Sequence, residues 1–422
     1  MISLLIKNIR ASLFLKNTLI LFIGTTIVNI FNYVFNLVIG RLLTVAEYGE
    51  LIALESIFMI VGVMSGTLVT AVTRQVSVYR ARLDMQGLKI FKNYCEKLFL
   101  IFGIAIFIIS IFFVRFIADY LKTPLTALII IDASFIFAFV TALYQSIFQG
   151  LQKFMLMSIL GFIGVIMKVI LGIGFVILGF STSGAVVGYV APFIFGAIIM
   201  YFFLRYIDKI KIDKNSPKIK ITKDHFIYLG KFFVATLCLT LLYNTDLLMV
   251  KHYFSGEDGG LYSSLAMLAR IIFFSTGIIT MVLLPMSTER FERHEKHLNL
   301  FLFSFGLVAV VSTISSALYF LFPEFIISLL FGTKYLNGAG LLGIMSLMMA
   351  AYSLLNVLIF YLMSIKRFSF VFWLVAATIL QAVLIWRFHS SLFQVIMISL
   401  GIICGVLILS SLNLLLGNKK GN

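Results

Sequence analysis

Twelve apolar stretches, each long enough to cross a bilayer as a helix, leave this chain almost no sequence from which to build a water-soluble domain. They fall at about 18–40, 51–73, 98–117, 125–147, 156–178 and 184–204, and again at 228–250, 262–284, 298–321, 340–363, 368–386 and 391–415. A hydrocarbon core of about 30 Å needs about 20 residues of helix, and backbone in lipid must satisfy its own hydrogen bonds. The breaks between the runs carry ordinary stop signals, among them Thr123-Pro124, Ser181-Thr182-Ser183-Gly184 and Gly256 to Gly260. Only 12% of the 422 residues are charged, roughly half of what a water-facing surface requires. The expected fold is therefore all-α and polytopic, with about twelve transmembrane helices.

Charge then orients the spans. The formal charge of +16 does not indicate a nucleic-acid partner, because the basic residues lie in short gaps between apolar runs and not on a folded polar face. With the N-terminus in the cytoplasm, 25 Lys and Arg fall in cytoplasmic segments and 6 on the opposite side, alternating loop by loop. Both termini are expected in the cytoplasm. Residues 1–16, with Lys7, Arg10 and Lys16, lack a small-residue cleavage site and are expected to form an interfacial segment. Cys95, Cys238 and Cys404 lie far apart, with neither a pairing pattern nor a metal-ligand spacing.

The two sets of six runs share a plan. Tyr48 and Tyr262 each open a second span after a short turn, and Lys153-Phe154 and Arg367-Phe368 each occupy a fourth-to-fifth turn. All three pairings are offset by 214 residues. Six is even, so the second copy enters the membrane in the same sense as the first, which is a transporter's arrangement. The domains expected are an N-terminal six-helix bundle at 17–205, a basic cytoplasmic linker at 206–227, a C-terminal bundle at 228–416 and a cytoplasmic tail at 417–422.

Three strings carry a family resemblance. They are Gly40-Arg41-Leu42-Leu43-Thr44-Val45-Ala46-Glu47-Tyr48-Gly49, Asp246-Leu247-Leu248-Met249-Val250 followed by Gly260-Leu261-Tyr262, and Gln149-Gly150-Leu151-Gln152-Lys153-Phe154. The chain resembles the polysaccharide biosynthesis proteins, the Wzx-type flippases of lipid-linked oligosaccharide, which belong with the multidrug and toxin extrusion (MATE) exporters and the lipid II flippases. The resemblance implies a MATE-like fold of two six-helix bundles about a cation-lined cavity, in a bacterial inner membrane. It implies a substrate as well: an undecaprenyl-pyrophosphate-linked repeat unit moved from the cytoplasmic to the outer leaflet for O-antigen, capsule or exopolysaccharide. Membrane lipid is then an obligatory partner, and the polymerase and glycosyltransferases of the same pathway are further ones.

Ionisable groups at membrane depth cost about 2.5–3.5 kcal/mol each at a helix centre, so each is a functional candidate. Arg270 lies eight residues past Tyr262, about 12 Å into its span; anion contact and structural pairing are both open for it. Lys168 is central in the fifth span, with Asp132 or Glu55 as alternative buried partners. Arg74 closes the second span, where an anionic head would first be captured. Arg41 lies on the other side, with a hairpin pair to Glu47 as its structural reading. Asn29, Asn32 and Asn36 share one helix face, for cavity lining or for helix–helix hydrogen bonds. Asp246 is the candidate for binding a coupling Na⁺ or H⁺. No resident cofactor, metal cluster or nucleophile constellation is expected. The competing readings are a MATE-like exporter of small cationic compounds and, more remotely, a membrane polysaccharide polymerase or acyltransferase.

Overall fold

A computed structural model describes residues 23–209 and 223–418, and among them there are helices and turns but no strand. The interfacial segment 1–16, most of the linker 206–227 and the last residues of the tail lie outside this range. The helices are α1 (Ile23–Leu42), α2 (Val45–Ala81), α3 (Met85–Leu121), α4 (Leu125–Gly150), α5 (Phe154–Phe175) and α6 (Ser181–Asp208). They continue with α7 (Lys223–Tyr253), α8 (Gly256–Glu292), α9 (Leu298–Leu321), the short α10 (Pro323–Leu330), α11 (Ala339–Ser364), α12 (Val371–Arg387) and α13 (Leu392–Asn418).

Ten helical stretches among the described residues are long and apolar enough to span a bilayer. One of them, 154–207, is α5 and α6 joined through a π-type turn at Val176–Phe180, where Gly179 takes φ 92°. The 17-residue α12 is apolar and slightly shorter, about 26 Å of helix. Counting α5 and α6 separately and adding α12 gives the twelve spans expected. α2, α3 and α8 each have 37 residues, about 55 Å of helix, so they run well beyond a 30 Å core.

Local chemistry sets the helix starts. Thr44 and Glu47 close a capping box on α2: the Glu47 carboxylate accepts from the Thr44 N–H at 2.9 Å and its hydroxyl at 2.8 Å. Asp84 caps α3 by accepting from Gly87 N at 2.7 Å, and Ser255 caps α8 by accepting from Asp258 N at 3.1 Å.

The helices form two compact units, one taking in residues up to Leu43 and from Met64 to Lys223, the other Thr44–Val63 and residues from Asp224 on. α2 therefore contributes to both, with residues 45–63 belonging to the second unit. The two units repeat some turn geometry. Leu83 and His294 take left-handed φ in the turns after α2 and α8, and Gln152 and Lys366 do so in the turns before α5 and α12.

Glycines set the closest helix contacts. In the first unit a Cβ on Gly188 would lie 2.7 Å from both Gly172 Cα and the Lys168 carbonyl oxygen, so α5 and α6 touch backbone to backbone. In the second unit the start of α2 meets the start of α8 in the same way: a Cβ on Gly49 would lie 2.8 Å from Gly260 N. Between apolar helices in lipid, such small-residue contacts let dispersion and backbone packing do what water expulsion does elsewhere.

Candidate functional site

Among the described residues four cations are buried. Lys92 and Lys251 lie close to helix ends, whereas Lys168 and Arg270 lie well inside a span, one in each unit, where the charge rests on a tyrosine ring and an asparagine oxygen. In the second unit the cation is Arg270 on α8, 2% exposed. Its Nη2 donates to Asn244 Oδ1 at 3.1 Å and to the Tyr243 carbonyl at 3.4 Å, and its Cζ lies 4.1 Å from the Tyr243 ring centroid. The Tyr243 ring is held by Phe273 at 5.4 Å and Tyr352 at 5.2 Å, while the Tyr352 hydroxyl donates to the Leu239 carbonyl at 3.0 Å. Nothing accepts from Arg270 Nε, although it is buried.

Asp246 lies on α7 beside this cage, 2% exposed. One carboxylate oxygen accepts from the Tyr262 hydroxyl; the other, Oδ1, is buried without a hydrogen-bond partner. Arg270 and Asp246 interact electrostatically, and Glu55, from the part of α2 in this unit, reaches Tyr243 in the same way. The guanidinium offsets the cost of burying a carboxylate, and the carboxylate offsets the cost of burying the guanidinium. Each still has an unsatisfied edge, as expected of groups that bind something further or exchange partners.

In the first unit the cation is Lys168 on α5, 7% exposed. Its ammonium donates to Asn32 Oδ1 at 2.9 Å and lies 3.6 Å from the Tyr189 ring centroid and 4.7 Å from that of Phe35. Tyr189 in turn donates from its hydroxyl to Asn36 Oδ1 at 2.9 Å. The glycine contact explains the geometry: with Gly188 against Gly172, the next residue, Tyr189, is carried over Lys168 one turn earlier on α5. Asn32 and Asn36 return their amide N–H to the carbonyls of Val28 and Asn32, which leaves their Oδ1 atoms facing the neighbouring helices.

The structure thus joins Lys168, Asn32 and Asn36 in one cluster, and Arg270 and Asp246 in another. Asn29, on the same helix face by spacing, is exposed and outside the cluster. Asp132, considered as a partner for Lys168, instead lies against the Ser110 hydroxyl on α3. Arg41 and Arg74 are both exposed, near opposite ends of α2 and separated by about 43 Å of helix. Beside Arg74, Thr73 and Ser77 donate to the carbonyls of Ser146 and Gly150 at 3.3 and 3.4 Å, fixing α2 to the end of α4.

Sequence reasoning passed over Tyr189, Tyr243 and Asn244. A signal existed for the last: Asn244 and Asp246 are two polar groups two residues apart in an otherwise apolar stretch. Tyr189 had none, because an isolated tyrosine in a span is ordinary. Among the described residues no group of three His, Cys, Asp or Glu could hold a metal ion.

The family model described as "Polysaccharide biosynthesis protein" matches residues 14–291. A search of curated proteins gives no match. Among solved structures, a multidrug resistance transporter of the MATE family and MOP superfamily in an inward-facing conformation superposes with a TM-score of 0.72 at 13% identity, covering 93% of this chain and 94% of that one. The lipid II flippase MurJ, in an inward closed conformation, gives 0.65 at 17% identity, with coverage of 92% and 87%. A MOP superfamily transporter from Pyrococcus furiosus, described as having a binding pocket of reverse polarity, gives 0.66 at 13% identity, with coverage of 96% and 94%. At these identities the likeness is one of fold: a multi-pass helical membrane protein with the architecture of MATE transporters and MurJ.

Proposed function

The chain belongs to the polysaccharide biosynthesis protein family, and from that premise we propose that it is a flippase for an undecaprenyl-pyrophosphate-linked oligosaccharide repeat unit. The unit is carried from the cytoplasmic to the outer leaflet by alternating access, in a bacterial inner membrane with both termini in the cytoplasm. The observation that carries this reading is the pair of buried cations, Lys168 and Arg270, each held by a ring face and an amide oxygen. Ring faces and amides are neutral, so these contacts leave the positive charge in place to attract a pyrophosphate, with Asp246 balancing part of it at Arg270. The Nε–H of Arg270, buried without an acceptor, is a donor left for an oxyanion. Arg74 and Arg41, exposed near opposite ends of α2, would meet the anionic head on entry and on exit.

Asp246 is the residue proposed to bind the coupling ion, H⁺ or Na⁺. Its free Oδ1 supports that role, and so does its position beside Arg270: an anion arriving at the arginine changes the charge balance of the carboxyl. The polymerase and glycosyltransferases of the same pathway are proposed as partners on functional grounds alone. The second reading is a MATE-like exporter of small cations. Its support is the buried acids Asp132 and Asp246, and it requires the two buried cations to be structural.

The test is surface polysaccharide in a gene-deletion strain complemented with wild type, Arg270→Met or Lys168→Met, with membrane levels of each protein measured. The expected result is loss of polymer and accumulation of lipid-linked repeat units on the inner leaflet, restored by wild type and not by either variant. Intact polymer in the deletion strain refutes the flippase reading and makes drug susceptibility the next assay. Restoration by both Met variants refutes the role given to the cations.

A further inference from the structure

The connection between α9 and α11 is an addition that the first unit lacks. There, α3 and α4 are joined by Lys122, Thr123 and Pro124 alone, whereas in the second unit residues 322–338 intervene and include α10 and a 3₁₀ turn at Thr333–Gly338. α9 and α11, with 24 and 26 residues, each cover the full hydrocarbon thickness. Whatever joins their ends therefore lies at the membrane–water boundary.

α10 has two unlike faces. Phe322, Phe325 and Leu329, spaced three and four apart, are 53%, 63% and 57% exposed. Ile327 and Phe331, four apart on the opposite side, are fully buried. Pro323 at the first helical position starts the helix, and the exposed Glu324 flanks the apolar face. The exposed face continues the exposed apolar side of α9, which ends in Ile314, Leu318 and Leu321. In a spanning helix that side meets lipid, so the surface passes without a break from lipid-facing α9 onto α10.

We propose that α10 is an interfacial anchor that lays Phe322, Phe325 and Leu329 into the headgroup–acyl boundary of the leaflet on that side. An amphipathic helix with aromatic residues at this depth buries its apolar face in lipid while its polar edge stays among headgroups. The buried face does a second thing. Phe331, which caps the end of α10, and Tyr335 in the 3₁₀ turn after it pack edge to face on Tyr48, at 5.4 and 6.2 Å, so the connection ties the first turn of α2 to the membrane surface. The proposal depends neither on the cargo nor on which leaflet is the outer one.

A depth measurement tests it. Trp373 and Trp386 are replaced by Phe, and a single tryptophan is introduced as Phe325→Trp or, in a second protein, Leu329→Trp. Each protein is placed in phosphatidylcholine vesicles brominated either near the headgroup or near the acyl-chain end. The expected result is a loss of emission that is greatest with the shallow bromines, with weak quenching by aqueous acrylamide. Strong acrylamide quenching with none from bromine overturns the proposal, because the face is then in water. Strongest quenching by the deep bromines overturns it as well, since α10 then lies in the hydrocarbon core. Protection from every quencher overturns it in favour of a protein cover such as a second copy.

Discussion

Gly49→Ala and Gly260→Ala probe the closest helix contact in the second unit, and the structure supplies the size of the effect. An added Cβ on Gly49 would lie 2.8 Å from Gly260 N and 2.9 Å from Gly260 Cα, where ordinary contact begins near 3.4 Å. The atoms it meets are backbone, so no side-chain rotation relieves the clash, and α2 must draw back from α8 by roughly half an ångström. Overpacking of this kind costs about 1–3 kcal/mol, while replacing a mid-helix glycine by alanine returns about 0.5–1 kcal/mol. The overpacking term is the larger, for a net loss of about 0–2.5 kcal/mol. Gly260→Ala fares worse, because its Cβ would enter the Val45 carbonyl. Gly62, on the same α2, has nothing within 4 Å of its Cβ position; there the helix-propensity term acts alone, and alanine stabilises by up to about 1 kcal/mol. Thermal unfolding in detergent, followed by tryptophan emission, should rank Gly62→Ala above wild type, Gly49→Ala below it and Gly260→Ala lowest. A Gly260→Ala protein as stable as wild type would refute the reasoning, since α2 and α8 could not then be in backbone contact.

Tyr189→Phe removes the hydroxyl that donates to Asn36 but keeps the ring under Lys168; it should cost about 1 kcal/mol in thermal unfolding, and Tyr189→Leu, which also loses the cation–π contact, about 2 kcal/mol more. Asp84→Ala deletes the N-cap of α3 and should cost about 1 kcal/mol, whereas Asp84→Ser should cost little; equal losses in the two would show that the cap hydrogen bond is not the cause. His297 lies in the turn before α9, with Nδ1 2.8 Å from the Tyr361 hydroxyl; burial, and then the charge of Arg367, hold it below the usual histidine value of 6.5. The unfolded chain then binds the proton more readily than the folded one. Its contribution is therefore complete above pH 6.5 and is lost as pH falls through 6.5 towards the lower folded value. Melting curves between pH 8 and pH 5 should show this slope in wild type and a shallower one in His297→Gln.

The spans were legible because the bilayer imposes a length on every helix that crosses it, and apolar runs of that length stand out in one dimension. So were the break at Thr123-Pro124 and the matched positions of Tyr48 and Tyr262, which both proved fully buried. The break expected at Gly256 to Gly260 falls instead at Phe254-Ser255, and those glycines lie in the first turns of α8. Lys168 and Arg270 stood out as candidates because a charge in an apolar run needs no neighbour to be noticed, whereas Lys92 and Lys251, read as loop residues, proved buried as well. The surroundings of the two candidates did not show in the sequence. Lys168 meets Asn32 across 136 residues and Arg270 meets Asn244 across 26, each on a different helix from its partner. Helical spacing put Asn29, Asn32 and Asn36 on one face, yet Asn29 is exposed while Asn36 is buried beneath Tyr189. Likewise the ninth run was expected to end at 321, as α9 does, but nothing in the apolar residues that follow showed that they form a further short helix with one face exposed and Phe331 packed on Tyr48. Periodicity within a helix fixes which residues share a face. Which neighbour covers that face depends on where glycines such as Gly172 and Gly188 let two backbones touch, and that is decided only when the helices pack.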